Sequence, residues 1–172
     1  MVVVEQFLNT VDERIFSWHG QKHVASDKLT SVEALSAWLE ARALVAAGQE
    51  LRPSDLTAAV ALRAALREAL TDGTNGAKAT QALAGFPLRL APDPTGGLRL
   101  TATSGVPGLD MIVETVAASV AGGGWNRLKL CSAADCRWAF YDTSRNGGGR
   151  WCSMEVCGNR NKTRAYRRRH AD

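Results

Sequence analysis

Cys131-Ser132-Ala133-Ala134-Asp135-Cys136 is followed, after fifteen intervening residues, by Cys152-Ser153-Met154-Glu155-Val156-Cys157. These two C-x4-C pairs hold all 4 cysteines of the 172-residue chain. Two close thiol pairs and a spacer able to fold back are what a tetrahedral four-sulfur zinc site requires. Each pair supplies two thiolates from one tight turn, and the spacer brings the turns together. The rival readings are four buried thiols or two reduced redox pairs, but C-x4-C is not the C-x-x-C of a thiol oxidoreductase. Four thiolates leave no coordination position for water. The expected cofactor is therefore one structural Zn2+ held by Cys131, Cys136, Cys152 and Cys157. The 48 residues from Trp125 onward are too few to hold a fold without such a staple, so the metal counts as folding energy.

Working outward, Trp138, Phe140 and Asp142 read as one face of a strand and Arg137 and Tyr141 as the other. Asn146-Gly147-Gly148-Gly149 is a turn signal, and Trp151 and Cys152 begin the return. The expectation is a β-hairpin between the cysteine pairs, with Trp138, Phe140 and Trp151 as its small core. Asn159 to Arg169 contains no proline or glycine and is expected to be a helix whose first turn lies on the metal, giving a treble-clef-like finger. Arg160, Lys162, Arg164, Arg167, Arg168 and Arg169 crowd that helix. At 3.6 residues per turn Arg160, Arg164, Arg167 and Arg168 share a broad face, with Lys162 and Arg169 beside it. Like charges at i, i+4 repel, and a phosphate backbone would relieve that repulsion and release counterions. Candidate nucleic-acid contacts are these six together with Arg145, Asn146, Arg150 and Asn159. The plainer reading is a solvated face, or local pairs with Asp142 or Glu155.

Charge divides the chain in the same place. Met1 to Gly124 carries 10 Lys and Arg against 13 Asp and Glu, a balance of −3, whereas Trp125 to Asp172 carries 11 against 4, a balance of +7. Gly122-Gly123-Gly124 marks the boundary, so the expected units are 1–124 and 125–172. Hydrophobic residues at 45% and charged residues at 22% describe an ordinary globular chain rather than a disordered or fibrous one. No stretch approaches the roughly 20 apolar residues of a membrane span. Val2-Val3-Val4 is broken by Glu5 and cannot be the core of a secretory signal. A cytoplasmic location, no membrane partner and reduced cysteines are expected.

The first unit reads as α+β. Val4, Leu8, Val11 and Ile15 have helical spacing, with Phe7 beside them. Thr30 and Glu33 have capping-box spacing ahead of Leu35, Trp38, Leu39 and Val45. Pro53-Ser54-Asp55 opens a third helix through Leu70, with Arg63, Arg67 and Glu68 on its exposed face, and Asp72-Gly73-Thr74-Asn75-Gly76 ends it. A short helix from Lys78 to Ala84 follows. Leu88-Arg89-Leu90 and Leu98-Arg99-Leu100 alternate like a β-hairpin with a longer turn, and Leu109 to Val120 is helical again. There is no P-loop, Gly-x-Gly-x-x-Gly or Gly-x-Ser-x-Gly, so the chain is not expected to be an enzyme. Asn9, Thr10, Asp12 and Arg14 cluster at the end of the first helix as a candidate small-ligand pocket, the alternative being a solvent face with a helix-end cap. His19 and His23 are spaced to chelate a second metal on a helix, but Gly20 between them argues for an exposed loop pair.

Cys136-Arg137-Trp138-Ala139-Phe140-Tyr141-Asp142, Ser144-Arg145-Asn146, Arg150-Trp151-Cys152-Ser153-Met154 and Cys157-Gly158-Asn159-Arg160 closely resemble the CGNR zinc-finger family. Phe7-Leu8-Asn9-Thr10-Val11-Asp12 and the helix start from Leu29 to Leu39 are similar to the ABATE-type domain that precedes such fingers. The resemblance implies a bacterial transcription regulator whose finger binds DNA and whose N-terminal module senses a small-molecule effector or a stress. It departs at Asn146-Gly147-Gly148-Gly149-Arg150, where more basic residues are expected. The expected function is a zinc-dependent DNA-binding regulator, with a homodimer supplying the surface that one finger lacks. The alternatives are an RNA-binding module, an enzyme with its site around Asn9, Asp12, Arg14 and His23 and the finger as a targeting arm, or a protein-interaction finger.

Overall fold

The first helix ends earlier than its periodicity predicts. In the computed structural model, which describes residues 1–71 and 77–170, α1 spans Val2–Leu8 and buries Val4, Phe7 and Leu8. Four two-residue strands follow: β1 (Val11–Asp12), β2 (Ser17–Trp18), β3 (Gln21–Lys22) and β4 (Ser26–Asp27). β1 pairs antiparallel with β4, and β2 with β3. Val11 is therefore extended, and Ile15 is exposed, its N–H donating to the Asp135 carbonyl. Long-range bonds override the local period here. Asn9 Nδ2 donates to the Ala139 carbonyl at 2.8 Å, and Asn9 Oδ1 accepts the Ala139 N–H at 2.8 Å. The Thr10 hydroxyl donates back to the Phe7 carbonyl.

Helix α2 (Val32–Glu40) is capped by Ser31, one residue later than expected, whose hydroxyl accepts the Ala34 N–H. Leu35, Trp38 and Leu39 are buried as the pattern requires, while Val45 lies past the helix end and packs against the same core. Helix α3 (Pro53–Ala69) begins where its proline and Asp55 predict, with Asp55 accepting the Arg52 N–H at 2.8 Å. The predicted stop at 72–76 lies outside the described residues. Helix α4 (Ala77–Ala84), the hairpin of β5 (Leu88–Pro92) and β6 (Leu98–Ala102), and helix α5 (Pro107–Ala121) complete the first unit as expected.

One expectation for α3 is reversed. Arg63 and Arg67, assigned to its exposed face, are 5% and 6% exposed. Arg63 grips Asp27 with two parallel bonds of 2.7 and 2.5 Å and also donates to Thr10 Oγ1. Arg67 donates to the Leu8 carbonyl, to the Arg137 carbonyl and to Glu13. Buried guanidinium groups need such saturation, and these two receive it from segments far away in sequence.

Past Gly124 the chain makes a 3-10 turn (Gly124–Arg127), then β7 (Leu128–Leu130), β8 (Ala139–Tyr141), a π-helical turn (Met154–Gly158) and α6 (Asn159–Arg169). β8 pairs with β7 in the register Leu128↔Tyr141 and Leu130↔Ala139. The hairpin loop is thus the Cys131–Cys136 knuckle itself, and the predicted hairpin between the two cysteine pairs is not formed. Its return segment is tied instead through the Ser132 N–H to the Arg150 carbonyl. The cause is Asp142, 4% exposed. It accepts from Lys129 Nζ at 2.7 Å, the Ser144 N–H and the Gly149 N–H, and Lys129 also reaches the Gly147 and Gly149 carbonyls. The glycine loop wraps an ion pair rather than forming a ladder. A Cβ on Gly149 would lie 2.7 to 2.9 Å from the Asp142 carboxylate, which requires glycine there.

The main core joins Phe7 and Leu8 of α1, Leu35 and Leu39 of α2, Leu62 and Leu66 of α3, and Leu109 and Ile112 of α5 to Leu128 and Ala139 beyond the glycine run. Packing therefore crosses the join that composition marks. Among the described residues no helix is long and apolar enough to cross a membrane.

Two measurements check this joint. Asn9→Ala leaves the Ala139 N–H and carbonyl buried without partners, and should lower unfolding stability by about 3 kcal/mol in urea melts. Burial opposes the Asp27 carboxylate, but hydrogen bonds from Arg63 and the Leu29 N–H outweigh it and hold its pKa below the ordinary value. A depressed carboxylate pKa stabilises above the unfolded value of about 3.9 and loses that stability as pH falls further. Asp27→Asn should thus be less stable at neutral pH yet lose less than the native protein on acidification below about pH 4.

Candidate metal centre and cationic helix

The four cysteine sulfurs all lie within 4.8 Å of one another. Cys136 Sγ is 3.7 Å from Cys152 Sγ, which is 3.8 Å from Cys157 Sγ. A tetrahedral zinc with Zn–S bonds of about 2.3 Å requires sulfur–sulfur edges of about 3.8 Å. The donor set therefore fits zinc in both chemistry and spacing. Cys131 follows directly on β7, and Cys136 closes the knuckle through its N–H to the Ala133 carbonyl. Arg137, at φ 49°, reverses the chain into β8. Ser153 caps the π-helical turn that presents Cys157, its hydroxyl accepting the Val156 N–H, and Asn161 Nδ2 donates to the Cys157 carbonyl.

Electrostatics points the same way. Hydrogen bonds from the Cys136 and Cys152 thiols pull the Cys131 pKa down to about 2. Cys136, whose thiol is held by that thiolate, rises to about 12. Cys152 rises through its hydrogen bonds to Cys131 and Cys136, and Cys157 rises mainly through burial. Sulfurs this close oppose one another's ionisation, and a dication is what allows all four to be thiolates. With four sulfur ligands the zinc is structural.

The wall around the sulfurs is not made by the finger alone. Phe16 is buried against Cys131, Ala133, Cys136 and Cys157, and Trp18, Trp138, Phe140, Trp151 and Val156 pack on the same cluster. Phe16 and Trp18 belong to the first unit, and sequence reasoning missed them. The available signal was the Phe16-Ser17-Trp18 pair itself, large aromatics in a segment otherwise rich in polar residues.

In Cys157-Gly158-Asn159-Arg160, the cysteine, the glycine and the arginine each have a local physical role. Cys157 is a ligand. Gly158 lets the backbone approach Met154 and Trp151, since a Cβ would meet the Met154 Cε at 2.9 Å. Asn159 is exposed at the start of α6. The Arg160 guanidinium lies 3.4 Å over the Phe16 ring and bonds Asp135 at 2.7 Å. Among the described residues its Nε and Nη1, buried near that aromatic face, have no hydrogen-bond partner. Arg164 takes the other oxygen of Asp135, also at 2.7 Å. The acidic partner of the helix is thus Asp135, inside the first cysteine loop, rather than Asp142 or Glu155. Arg160 leaves the expected nucleic-acid set because it is consumed in holding α6 to the knuckle. Lys162, Arg167, Arg168 and Arg169 are exposed along α6, as are Arg145 and Asn146 on the glycine loop and Arg150, which lies over the Trp151 ring.

The expected ligand pocket is corrected by the same geometry. Asn9 and Thr10 are buried and saturated by Ala139, Phe7 and Arg63. Asp12 and Arg14 bond each other at 2.6 Å, with the Arg14 guanidinium 4.1 Å over Trp138. These residues form the joint between the two units. His19 and His23 lie not on a helix but in the turn and at the end of the β2–β3 hairpin, their rings packed at a tilt of 57° and 49° against Trp18 and Phe16 respectively. The one metal-competent group of three or more His, Cys, Asp or Glu side chains among the described residues is the four cysteines.

Fold and site together define a four-cysteine zinc-finger protein with an α+β N-terminal region. Residues 127–170 match the CGNR zinc finger. Residues 2–123 match ABATE, described as "Putative stress-induced transcription regulator", and the chain belongs to this family. Both descriptions fit a zinc-binding transcription regulator. No curated protein matches the chain.

Metal analysis should give one zinc per chain, retained in Asp12→Asn but lost in Cys157→Ser. Phe16→Ala should cost about 3 kcal/mol and loosen the zinc, read as faster transfer to a chromogenic chelator, although Phe16 is more than a hundred positions from every ligand.

Proposed function

We propose that this protein is a zinc-dependent DNA-binding regulator, with residues 1–124 as the regulatory body and 125–172 as the DNA-contacting finger. The observation that carries the reading is α6. Lys162, Arg167, Arg168 and Arg169 are exposed, and among the described residues none of them has an ion-pair partner. The foot of the same helix is anchored by Cys157 and Asp135. A cationic rod fixed at one end and unneutralised at the other suits a polyanion, and the width of α6 suits the major groove of duplex DNA. Arg145, Asn146 and Arg150 on the neighbouring loop, and Asn159 at the start of α6, supply further phosphate or base-edge donors. Zinc positions the helix, and charge supplies most of the affinity.

Duplex binding followed against salt concentration tests this. Log affinity should fall linearly with log salt at a slope of several units. Arg167→Ala combined with Arg168→Ala should weaken binding at least tenfold and reduce the slope by about two, with zinc content unchanged. A slope near zero removes the reading. Stronger competition by duplex RNA or by single strands reassigns the finger to RNA.

A further inference from the structure

Beside α6 stands the β2–β3 hairpin of the N-terminal unit. Its two-residue turn, His19-Gly20, has φ of 47° and 79°, the paired positive values that match the twist of a tight antiparallel hairpin. The stem is pinned to the finger. Phe16 sits in the cluster around the sulfurs, under the Arg160 guanidinium, with the His23 ring 4.8 Å away. The Ile15 N–H donates to the Asp135 carbonyl. The hairpin cannot swing away from α6 without dismantling the wall of the metal centre.

Between hairpin and helix lies a groove of about 350 Å³, lined by Trp18 on one side and by Asn159, Arg160, Thr163, Arg164 and Arg167 on the other. Trp18 is only partly buried, and His19, Gln21 and Lys22 at the tip are exposed. Asp135 is the acidic group facing this side, and both of its oxygens are engaged by Arg160 and Arg164. The groove thus sets three guanidinium groups, Arg160, Arg164 and Arg167, and the single carboxylate of Asp135 beside an aromatic face, with the exposed Gln21 paired to Trp18 on the same face of the hairpin, the chemistry that takes a sugar–phosphate strand.

We infer that the nucleic-acid surface is composite: the β2–β3 hairpin is its second arm, and one strand of the duplex runs in the groove between Trp18 and α6. Phosphates are held by Arg164 and Arg167, the sugar edge lies against Trp18, and Gln21, paired with Trp18, meets the backbone beyond. The inference rests on the DNA-binding reading above and extends it from the finger to the N-terminal unit.

The test uses the full chain, a fluorescein-labelled DNA duplex of about 20 base pairs, and four variants in one anisotropy assay. Gln21→Glu, at the exposed position paired with Trp18, should weaken binding about five- to tenfold at low salt and lower the salt slope by about one. Trp18→Ala should weaken it about tenfold with one zinc still bound, and Trp18→Phe should restore most of the loss. Arg168→Ala with Arg169→Ala, at exposed positions of α6 outside the groove lining, reports the finger alone. If that double variant is weakened while Gln21→Glu and Trp18→Ala bind like the native protein, the composite surface is wrong and the finger reading stands. If the native protein shows no salt-dependent binding, both fall. Should Trp18→Ala lose its zinc, Gln21→Glu decides the matter by itself.

Discussion

Four thiol sulfurs confined within 4.8 Å cannot all ionise unless a cation sits among them. The geometry of the C-terminal part follows from that requirement. The ion draws the β7–β8 knuckle and the π-helical turn together, and the turn delivers α6 from a fixed point. Asp135, inside the knuckle, then sets the direction of α6 by holding Arg160 and Arg164. Neither the tie nor the ion suffices alone. The ion fixes where the helix begins, and the carboxylate fixes where it points.

The second constraint is the seam between the units. Three buried polar devices cross it: the two-way amide bond of Asn9 with Ala139, the Arg67 bridge from the Leu8 carbonyl to the Arg137 carbonyl, and the stack of Arg160 on Phe16. Each leaves an expensive orphan if one side withdraws. The glycine run at 122–124 is a corner in a continuous structure, since Leu128 and Ala139 complete the core that Phe7 and Leu39 begin.

Much of this was legible from local pattern. The cysteine spacing announced the metal, Pro53 and Asp55 the start of α3, the alternating leucines the β5–β6 hairpin, and the absence of proline and glycine the span of α6. What escaped was long-range. Val11 and Ile15 kept a helical period, but Asn9 was claimed by a backbone group 130 residues away. Arg63 and Arg67 looked like a solvent face because periodicity assigns arginine outward, and nothing nearby in sequence reveals that Asp27, Leu8 and Arg137 converge on them. The glycine loop read as a hairpin turn because its true organiser, the buried pair of Lys129 and Asp142, is a tertiary contact. For the site, the ligands were plain and the cationic row was visible, but the contribution of Phe16 and Trp18 was not.

The Asn9–Ala139 bond also orders events in time. A chain made from its N-terminus at roughly 5 to 20 residues per second waits on the order of ten seconds between emergence of the first partner and the second. Until then α1 has an open C-terminal end, and the cavity that Leu128 and Ala139 will fill stands empty. The N-terminal part therefore completes its packing only after Leu128 and Ala139 have emerged, and metal capture waits a little longer, for Cys157.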